Sequence, residues 1–524
     1  MTKTRSGCSP IFDERSAGFL SHLTSLPGSQ DAAGAPGSPG SGDLGCTDVM
    51  LSFASKAGLG WWQMLPIHPP NGYASPYQSR SCFAGHSGLI DLASLVREGW
   101  LSKRALSTAS IPATDQCDFA RSQEIRKSLL MRAFGKFDQQ PPQQLARFKR
   151  EQKHWLADWA LFEALIHEHN GAPWSNWEPQ LRDRAPAALR SARKRLAREI
   201  RYHTFVQYVF DLNWQAFRSK ANQAGVKLLG DLPKFVAADS ADAWVQRNLF
   251  YLDTSGLIEC EAGTPPDAFT RYGQRWGVPT YRVPEHRKQR YSWWIARVKR
   301  ELQLFDALRL DHFIGYARTY SIPAAARSQG SYVRGLGRGL FDALVKELGP
   351  LPFLVEDLGD SGPDVEQLRK RFGFPGTKVL QFGLDGLDGG NPYLPHNWTP
   401  QMVAYSGTHD NPTSLGWFKA HAARPGSKRP GVSRRAILEY TGGTAPMIHN
   451  ELRRLLWTSV ANTVIMPVQD LLGLGASARM NIPGRAGGNW GWRLKPNQLD
   501  NQLSAELHSL GSMTGRLSKP AEQQ

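Results

Sequence analysis

The sequence predicts an α/β chain folded as a (β/α)8 TIM barrel, with large, mainly helical insertions at the C-terminal face and no C-terminal β-sandwich. Three observations carry that expectation. Eight short apolar runs of strand-like composition recur along the chain, as near-continuous in apolar residues as strands buried on both faces of a parallel sheet. Most are separated by segments of helical periodicity. Several end on an acidic residue, and barrel active sites lie at the C-terminal ends of the strands.

In order, the runs are AGFLSHL (17–23), WWQMLP (61–66), VKLLGD (226–231), FDALRLD (305–311), LPFLVED (351–357), TKVLQF (377–382), MVAYSGTHD (402–410) and NTVIMPVQD (462–470). Two gaps are too long for single helices. The first insertion, at about 67–225, has an amphipathic pattern in Trp155, Trp159, Phe162 and Ile166 and is expected to be largely helical. The second, at about 232–304, contains GTPPDAFTRYGQRWGVPTY (263–281). Its Gly, Pro and aromatic residues predict an ordered loop over a site. Residues 28–42 are low-complexity and read as a mobile surface loop. The catalytic barrel is expected over 17–494, between an N-terminal tail (1–16) and a polar C-terminal tail (495–524).

Composition excludes several classes. With 524 residues, 41% of them hydrophobic and 21% charged, the chain has ordinary globular usage rather than that of a disordered segment. Five dispersed cysteines with no CxxC argue against a disulfide framework and a structural zinc site. There is no apolar leader at the N-terminus and no apolar stretch of ~18 residues, so a cytoplasmic, soluble protein is expected. The net charge of +17 lies largely on helical-looking segments such as 181–201 and 287–300, and reads as solvated helix faces rather than a nucleic-acid site. Tryptophan is abundant, at 17 residues. Trp155 and Trp159 read as core, whereas Trp174, Trp177, Trp276, Trp398, Trp490 and Trp492 stand in loop-like contexts where flat rings suit sugars or bases.

Four acidic positions fall where a barrel mouth is expected. Arg309 and Asp311 are two apart on one strand and share a face. A guanidinium there favours an ionised Asp311, suited to a nucleophile, or else the two form an ion pair closing the strand end. Glu356 follows the apolar LPFLV, and deeper burial would raise its pKa and suit a general acid; capping of the next helix is the alternative. Asp357 should face away and be structural. His409 and Asp410 in SGTHDNPT form either part of a site or an Asx turn or N-cap. Asp231 closes the third run. No Walker or HExxH motif is present, and carboxylates with aromatic residues point to glycosidic-bond chemistry.

Beyond those readings, the chain resembles glycoside hydrolase family 77, the amylomaltases of the α-amylase clan. The blocks are RSAGFLSHLTSLPG (15–28), GDLG (42–45), SPYQSRSCFAG (75–85), QYVFDLNW (207–214), GDLPKFVAADSADAW (230–244), PPDAFTRYGQRWGVPTY (265–281), RLDHFIGY (309–316), VEDLG (355–359), FPGTKVLQF (374–382), GTHDN (407–411) and ARMNIPGRAGGNWGWR (478–493). The resemblance implies retaining 4-alpha-glucanotransferase activity by double displacement, moving α-1,4-glucan segments between maltodextrins. A hydrolase of the same clan is the alternative, and a polyanion binder on an inactive barrel is disfavoured by the intact acid set. Asp311 matches the nucleophile, Glu356 the acid/base and Asp410 the transition-state stabiliser. Tyr77, Asp231, Arg309, His312 and His409 match residues in or beside the same sugar subsite. Phe269, Gln274 and Trp276 match the acceptor-side loop, and Asn481 a motif near the site. No metal, organic cofactor, nucleic acid or membrane is implied; the partners are maltooligosaccharides and other α-1,4-glucans. Soluble maltodextrins are expected, since no starch-binding extension precedes the first strand. The chain departs from the family at Lys234-Phe235, where Ile-Tyr is usual, at Val278 in WGVP and at Thr377 in PGT, which bears on substrate length.

Overall fold

The computed structural model describes residues 7–28, 40–71, 75–109, 114–266, 273–326, 329–359, 362–421, 432–485 and 487–519. Most of the low-complexity segment 28–42, and Phe269 with its neighbours, lie outside the described residues.

Each of the eight apolar runs contains one strand: β1 (Ser16–Leu20), β2 (Trp61–Gln63), β3 (Lys227–Leu232), β4 (Ala307–Leu310), β5 (Phe353–Val355), β6 (Gly376–Val379), β7 (Met402–Tyr405) and β8 (Thr463–Pro467). They pair in parallel in the order β6-β7-β8-β1-β2-β3-β4-β5. The ring comes close to closure where Val355 N–H donates to Pro375 O at 3.0 Å. Alternate residues fill the two sides. Leu20, Trp61, Leu229, Ala307, Leu354, Val379, Val403, Tyr405 and Ile465 form the barrel interior, while Phe19, Trp62, Leu228, Leu308 and Phe353 join the core shared with the surrounding helices. Burial on both faces is why the strands read as unbroken apolar runs. Gly18 on β1 has a steric reason: a Cβ there would lie 2.5 Å from that of Trp61.

The first insertion is helical, led by Phe119–Phe137, Leu156–Glu168 and the 27-residue Ala197–Gln223. Trp155 and Trp159 are core, as expected, but so are Trp174, Trp177, Trp398 and Trp492, all at most 6% exposed. Their Gly/Pro-rich surroundings did not keep these rings in solvent. The second insertion corrects the helix-or-loop expectation. Cys260–Thr264 pairs antiparallel with Gln274–Pro279 and, on its other side, with Arg318–Pro323, which pairs with Ser331–Arg334. This four-stranded flap was hidden because glycine, proline and a register shift between Glu261 and Gly263 break the period-2 signal.

The segments expected as tails carry ordered structure. Phe12 stacks on Trp61 inside the barrel, with centroids 5.0 Å apart. Residues Asn501–Met513 form a helix capped by the Asp500 carboxylate, which accepts from Leu503 N–H at 2.8 Å. It lies against the helix Asp48–Ala57. Leu503, Leu507 and Leu510 recur at helical spacing there, a face that the polar composition obscured. Behind it, the buried Arg516 donates to the carbonyls of Ser16, Trp457, Ser459, Ala461 and Asn462.

Candidate active site

The site is assembled at the C-terminal ends of β3, β4, β5 and β7. In the β3–β4 ladder Asp231 lies opposite Arg309, so a carboxylate and a guanidinium meet at the top of the barrel. Arg309 Nη1 donates to both Asp231 oxygens at 2.7 and 2.8 Å and to Asp311 Oδ1 at 3.1 Å. Its Nη2 stands 3.1 Å from Glu356 Oε1. One buried arginine thus holds three carboxylates. The second Glu356 oxygen accepts the backbone N–H of His312 at 2.7 Å, presented by a left-handed residue (φ +48°) in the turn after β4. Such a conformation at a non-glycine residue costs energy and clusters at functional sites.

The charge pattern corrects one expectation. Arg309 does pull the Asp311 carboxyl down, but it is shared, and burial together with the adjacent Glu356 pushes that carboxyl well above its ordinary range. Glu356 is only marginally the more deeply buried of the two. Its side chain is 21% exposed and that of Asp311 24%, because each stands just beyond its strand end where the barrel opens. Asp231 beneath them is fully enclosed, and burial raises its carboxyl despite the arginine. Asp357 points away, accepting from Thr377 N–H at 2.8 Å and pairing with Arg369 at 3.0 Å.

A second layer comes from β7 and the loops. Tyr77 Oη donates to Asp231 Oδ2 at 2.7 Å and meets His409 Nε2 at 2.9 Å, and the two rings stack 5.3 Å apart. With the phenol proton committed to Asp231, His409 Nε2–H is the donor to Tyr77. Asp410 Oδ1 accepts from Asn481 Nδ2 at 2.6 Å, and its backbone carbonyl accepts from Arg479 at 2.6 Å. His409 and Asp410 therefore belong to the cluster rather than to a detached turn. Trp490 leans over both Tyr77 and His409, with centroids 6.0 Å from each.

The third wall is the flap. Trp276 meets the His312 ring edge to face at 4.8 Å and Phe235 at 5.8 Å. Its indole N–H donates to Gln274 Oε1 at 3.0 Å, and its carbonyl accepts from Gln78 at 2.8 Å. Burial lowers the His312 pKa to about 4, so its imidazole is neutral at neutral pH. A cavity of about 540 Å³, lined by none of the carboxylates of Asp231, Asp311, Glu356 and Asp410, runs from His22 and Trp490 to Trp159 and Tyr202 in the helical insertion. Among the described residues, no cluster of three His, Cys, Asp or Glu side chains could hold a metal ion.

Of the expected site residues, the structure brings together Tyr77, Asp231, Gln274, Trp276, Arg309, Asp311, His312, Glu356, His409, Asp410 and Asn481. Phe269 lies outside the described residues. Sequence reasoning did not select Gln78, Arg479 or Trp490 as site residues, although all three stand inside quoted blocks; Trp490, an aromatic residue in a glycine-rich loop, carried the readable signal.

A barrel mouth with four carboxylates, three of them on one arginine, walled by Tyr77, Trp276 and Trp490, defines a carbohydrate-active enzyme of the two-carboxylate kind. Comparison with known proteins narrows the class. Residues 21–500 match the family model described as 4-alpha-glucanotransferase, glycoside hydrolase family 77, and the chain belongs to that family. It is 40% identical to the 4-alpha-glucanotransferase of Thermus thermophilus over 513 residues, 96% of this chain and 99% of the relative. Against the Synechocystis enzyme of the same name identity is 39%, over 97% and 99% of the two chains. An amylomaltase from Streptococcus agalactiae, solved in complex with acarbose, superposes with a TM-score of 0.89 at 32% identity, covering 96% of this chain and all of that one.

Proposed function

We propose that the protein is a retaining 4-alpha-glucanotransferase that moves α-1,4-glucan segments between soluble maltodextrins in the cytoplasm. The observation that carries this reading is the single Arg309 guanidinium bonded to Asp231, Asp311 and Glu356. It fixes the Asp311 and Glu356 carboxyls together at the barrel mouth. Asp311 attacks the anomeric carbon as Glu356 gives its proton to the departing glycosidic oxygen, leaving a covalent glucosyl-enzyme and a shortened glucan. Glu356, now a carboxylate, takes the proton of an incoming 4-hydroxyl, whose oxygen displaces Asp311 and restores both groups. Atoms and charge balance without a metal or cofactor.

Asp410, held by Asn481, grips hydroxyls beside the reacting carbon, and Tyr77, His409 and Asp231 shape the same subsite. Like charges at close range resist joint ionisation, and in this dyad burial and the adjacent Glu356 raise the Asp311 carboxyl well above its ordinary range, which favours a proton there. A donor sugar that hydrogen-bonds Glu356 and brings developing positive charge to Asp311 draws that proton to Glu356. Gln274 and Trp276 receive the acceptor.

Product chromatography on maltotriose tests the reading. Glucose together with maltopentaose and longer chains is expected. Glucose and maltose without any chain longer than the substrate would establish the hydrolase alternative.

A further inference from the structure

Two residues beyond β3, Lys234 stands where the family usually has an apolar residue. The residue is 1% exposed, and Nζ has no hydrogen-bond partner among the described residues. It stands instead over four rings, with centroids of Tyr281, Tyr316, Phe235 and Trp294 at 4.4, 4.6, 4.9 and 5.5 Å. Ring faces attract a cation, most strongly when it is desolvated. An ammonium caged in this way is compensated without a carboxylate.

The cage adjoins two parts of the site. The lysine stem packs on Gly315, where a Cβ would meet Lys234 Cγ and Cε at 3.4 Å and His312 Cδ2 at 2.9 Å. His312 presents its N–H to Glu356 from that same turn. On the other side, Phe235 carries the ring of Trp276, and Tyr281, which follows the flap strand, donates its hydroxyl to Lys234 O at 2.8 Å. Lys234 therefore ties the catalytic turn to the base of the flap.

We propose that Lys234 is a positioning residue whose caged ammonium braces the Asp311–Gly315 turn against the flap, and that its charge sets how the glucosyl-enzyme is shared between sugar and water. The inference rests on the glucanotransferase reading. Neutralising the amine removes the attraction to all four rings, loosens Trp276 and admits water.

Burial and the repulsion of Arg297 hold the amine well below its ordinary pKa. The other groups facing it keep one charge state through the working range. Arg297, on the neighbouring helix, stays a cation. His286 and His312 are pushed down to about 3 and about 4 and remain neutral. The phenols of Tyr281 and Tyr316 are pushed up by burial. On β3, which precedes it, Asp231 is tied to Arg309 and Tyr77. Of this set only Lys234 is pushed from its ordinary ~10.4 down toward the working range.

The test is the transfer-to-hydrolysis ratio on maltotriose from about pH 6 to ~10.4 for wild type, Lys234→Met and Lys234→Arg, with folding followed by circular dichroism. Both products come from one intermediate, so titration of the dyad cancels in the ratio. The wild-type ratio is expected to fall about three- to tenfold as pH rises, the scale of a lost cation–π contact. Lys234→Met should be low and flat. Lys234→Arg, which does not titrate, should be high and flat, and it decides the question if the methionine variant fails to fold. An unchanged profile in Lys234→Met, or an arginine variant that declines with the wild type, overturns the inference alone. A wild type that makes no transfer product overturns the functional reading and this inference with it.

Discussion

The carboxylate half and the flap half of this site are built on different principles. Asp231, Arg309, Asp311 and Glu356 ride on, or one residue beyond, parallel strands fixed by the barrel ladder, and one guanidinium locks them at 2.7–3.1 Å. Gln274 and Trp276 ride on one edge of a four-stranded antiparallel flap whose other edge strand, Ser331–Arg334, is exposed at all four residues. Chemistry that tolerates little displacement is mounted on rigid elements. The acceptor role proposed for Gln274 and Trp276 rests instead on a thin sheet outside the barrel. The difference predicts that damage to the first half removes turnover, whereas damage to the second redirects it.

The largest expected effect is from Asp311→Asn. Without a nucleophile no glucosyl-enzyme forms, and kcat on maltotriose should fall by about 10⁴-fold or more. Residual transfer within about tenfold of wild type in a stopped assay would remove Asp311 from that role. Next is Glu356→Gln, which should cost about 10²–10⁴ on maltotriose. A glucosyl fluoride needs little protonation of its leaving group, so formation of the glucosyl-enzyme from that donor should be largely retained. Equal losses on both donors would assign proton transfer to another group.

The same contrast governs what could be read in advance. All eight barrel strands were legible because burial on both faces leaves few polar positions to blur them. Asp231, Arg309, Asp311 and Glu356 were legible because strand ends put them at one mouth. What stayed hidden depended on contacts between distant segments. No local pattern says that Arg309 serves three carboxylates, and so the upward push on Asp311 was read as downward. Neither does the composition around Trp174 or Trp492 reveal that these rings are core. The flap was masked by Gly263 and Gly277 and by a shifted register, and Lys234 stood out only as a departure whose aromatic cage assembles from four separate stretches.

A smaller effect follows from the crowded charge. Three carboxylates around one cation leave excess negative charge in a partly enclosed mouth, and the folded state holds a proton on Asp311 more tightly than the unfolded chain does. Between the ordinary carboxylate range and the raised folded value, the native state binds more protons, so stability falls as pH rises. Asp311→Asn removes that liability. Its melting temperature should exceed the wild type's at pH ~7, and the gain should vanish below pH ~3.9, where both forms of the wild-type chain are protonated. Thermal melts at the two pH values check this, and a variant no more stable at neutral pH would show that Arg309 fully compensates the site. The trade of stability for activity fits a site selected for chemistry.

The smallest effect in rate, and the most informative about the flap, is expected from Trp276→Ala. Water and a sugar hydroxyl compete for the same glucosyl-enzyme, and a bound acceptor wins through effective molarity, which oriented reactions raise to ~10⁵ M or more. Trp276 can supply that orientation as a ring face, with Gln274 fixed to its indole and Gln78 holding its backbone in place. Removing the ring leaves Asp311, Glu356 and their arginine untouched, so glucosyl-enzyme formation should change by less than about tenfold, far below the loss set for Glu356→Gln. Partitioning should shift instead, with free glucose release rising several-fold relative to transfer and the circular dichroism spectrum unchanged. The competing possibility is that Trp276 only holds the flap folded, through Phe235 and the edge of His312. In that case the His312 turn loosens with it, Glu356 loses its backbone donor, and hydrolysis and transfer decline in parallel. The ratio separates the two because a misplaced acid/base slows both acceptors alike, whereas a missing platform penalises only the sugar.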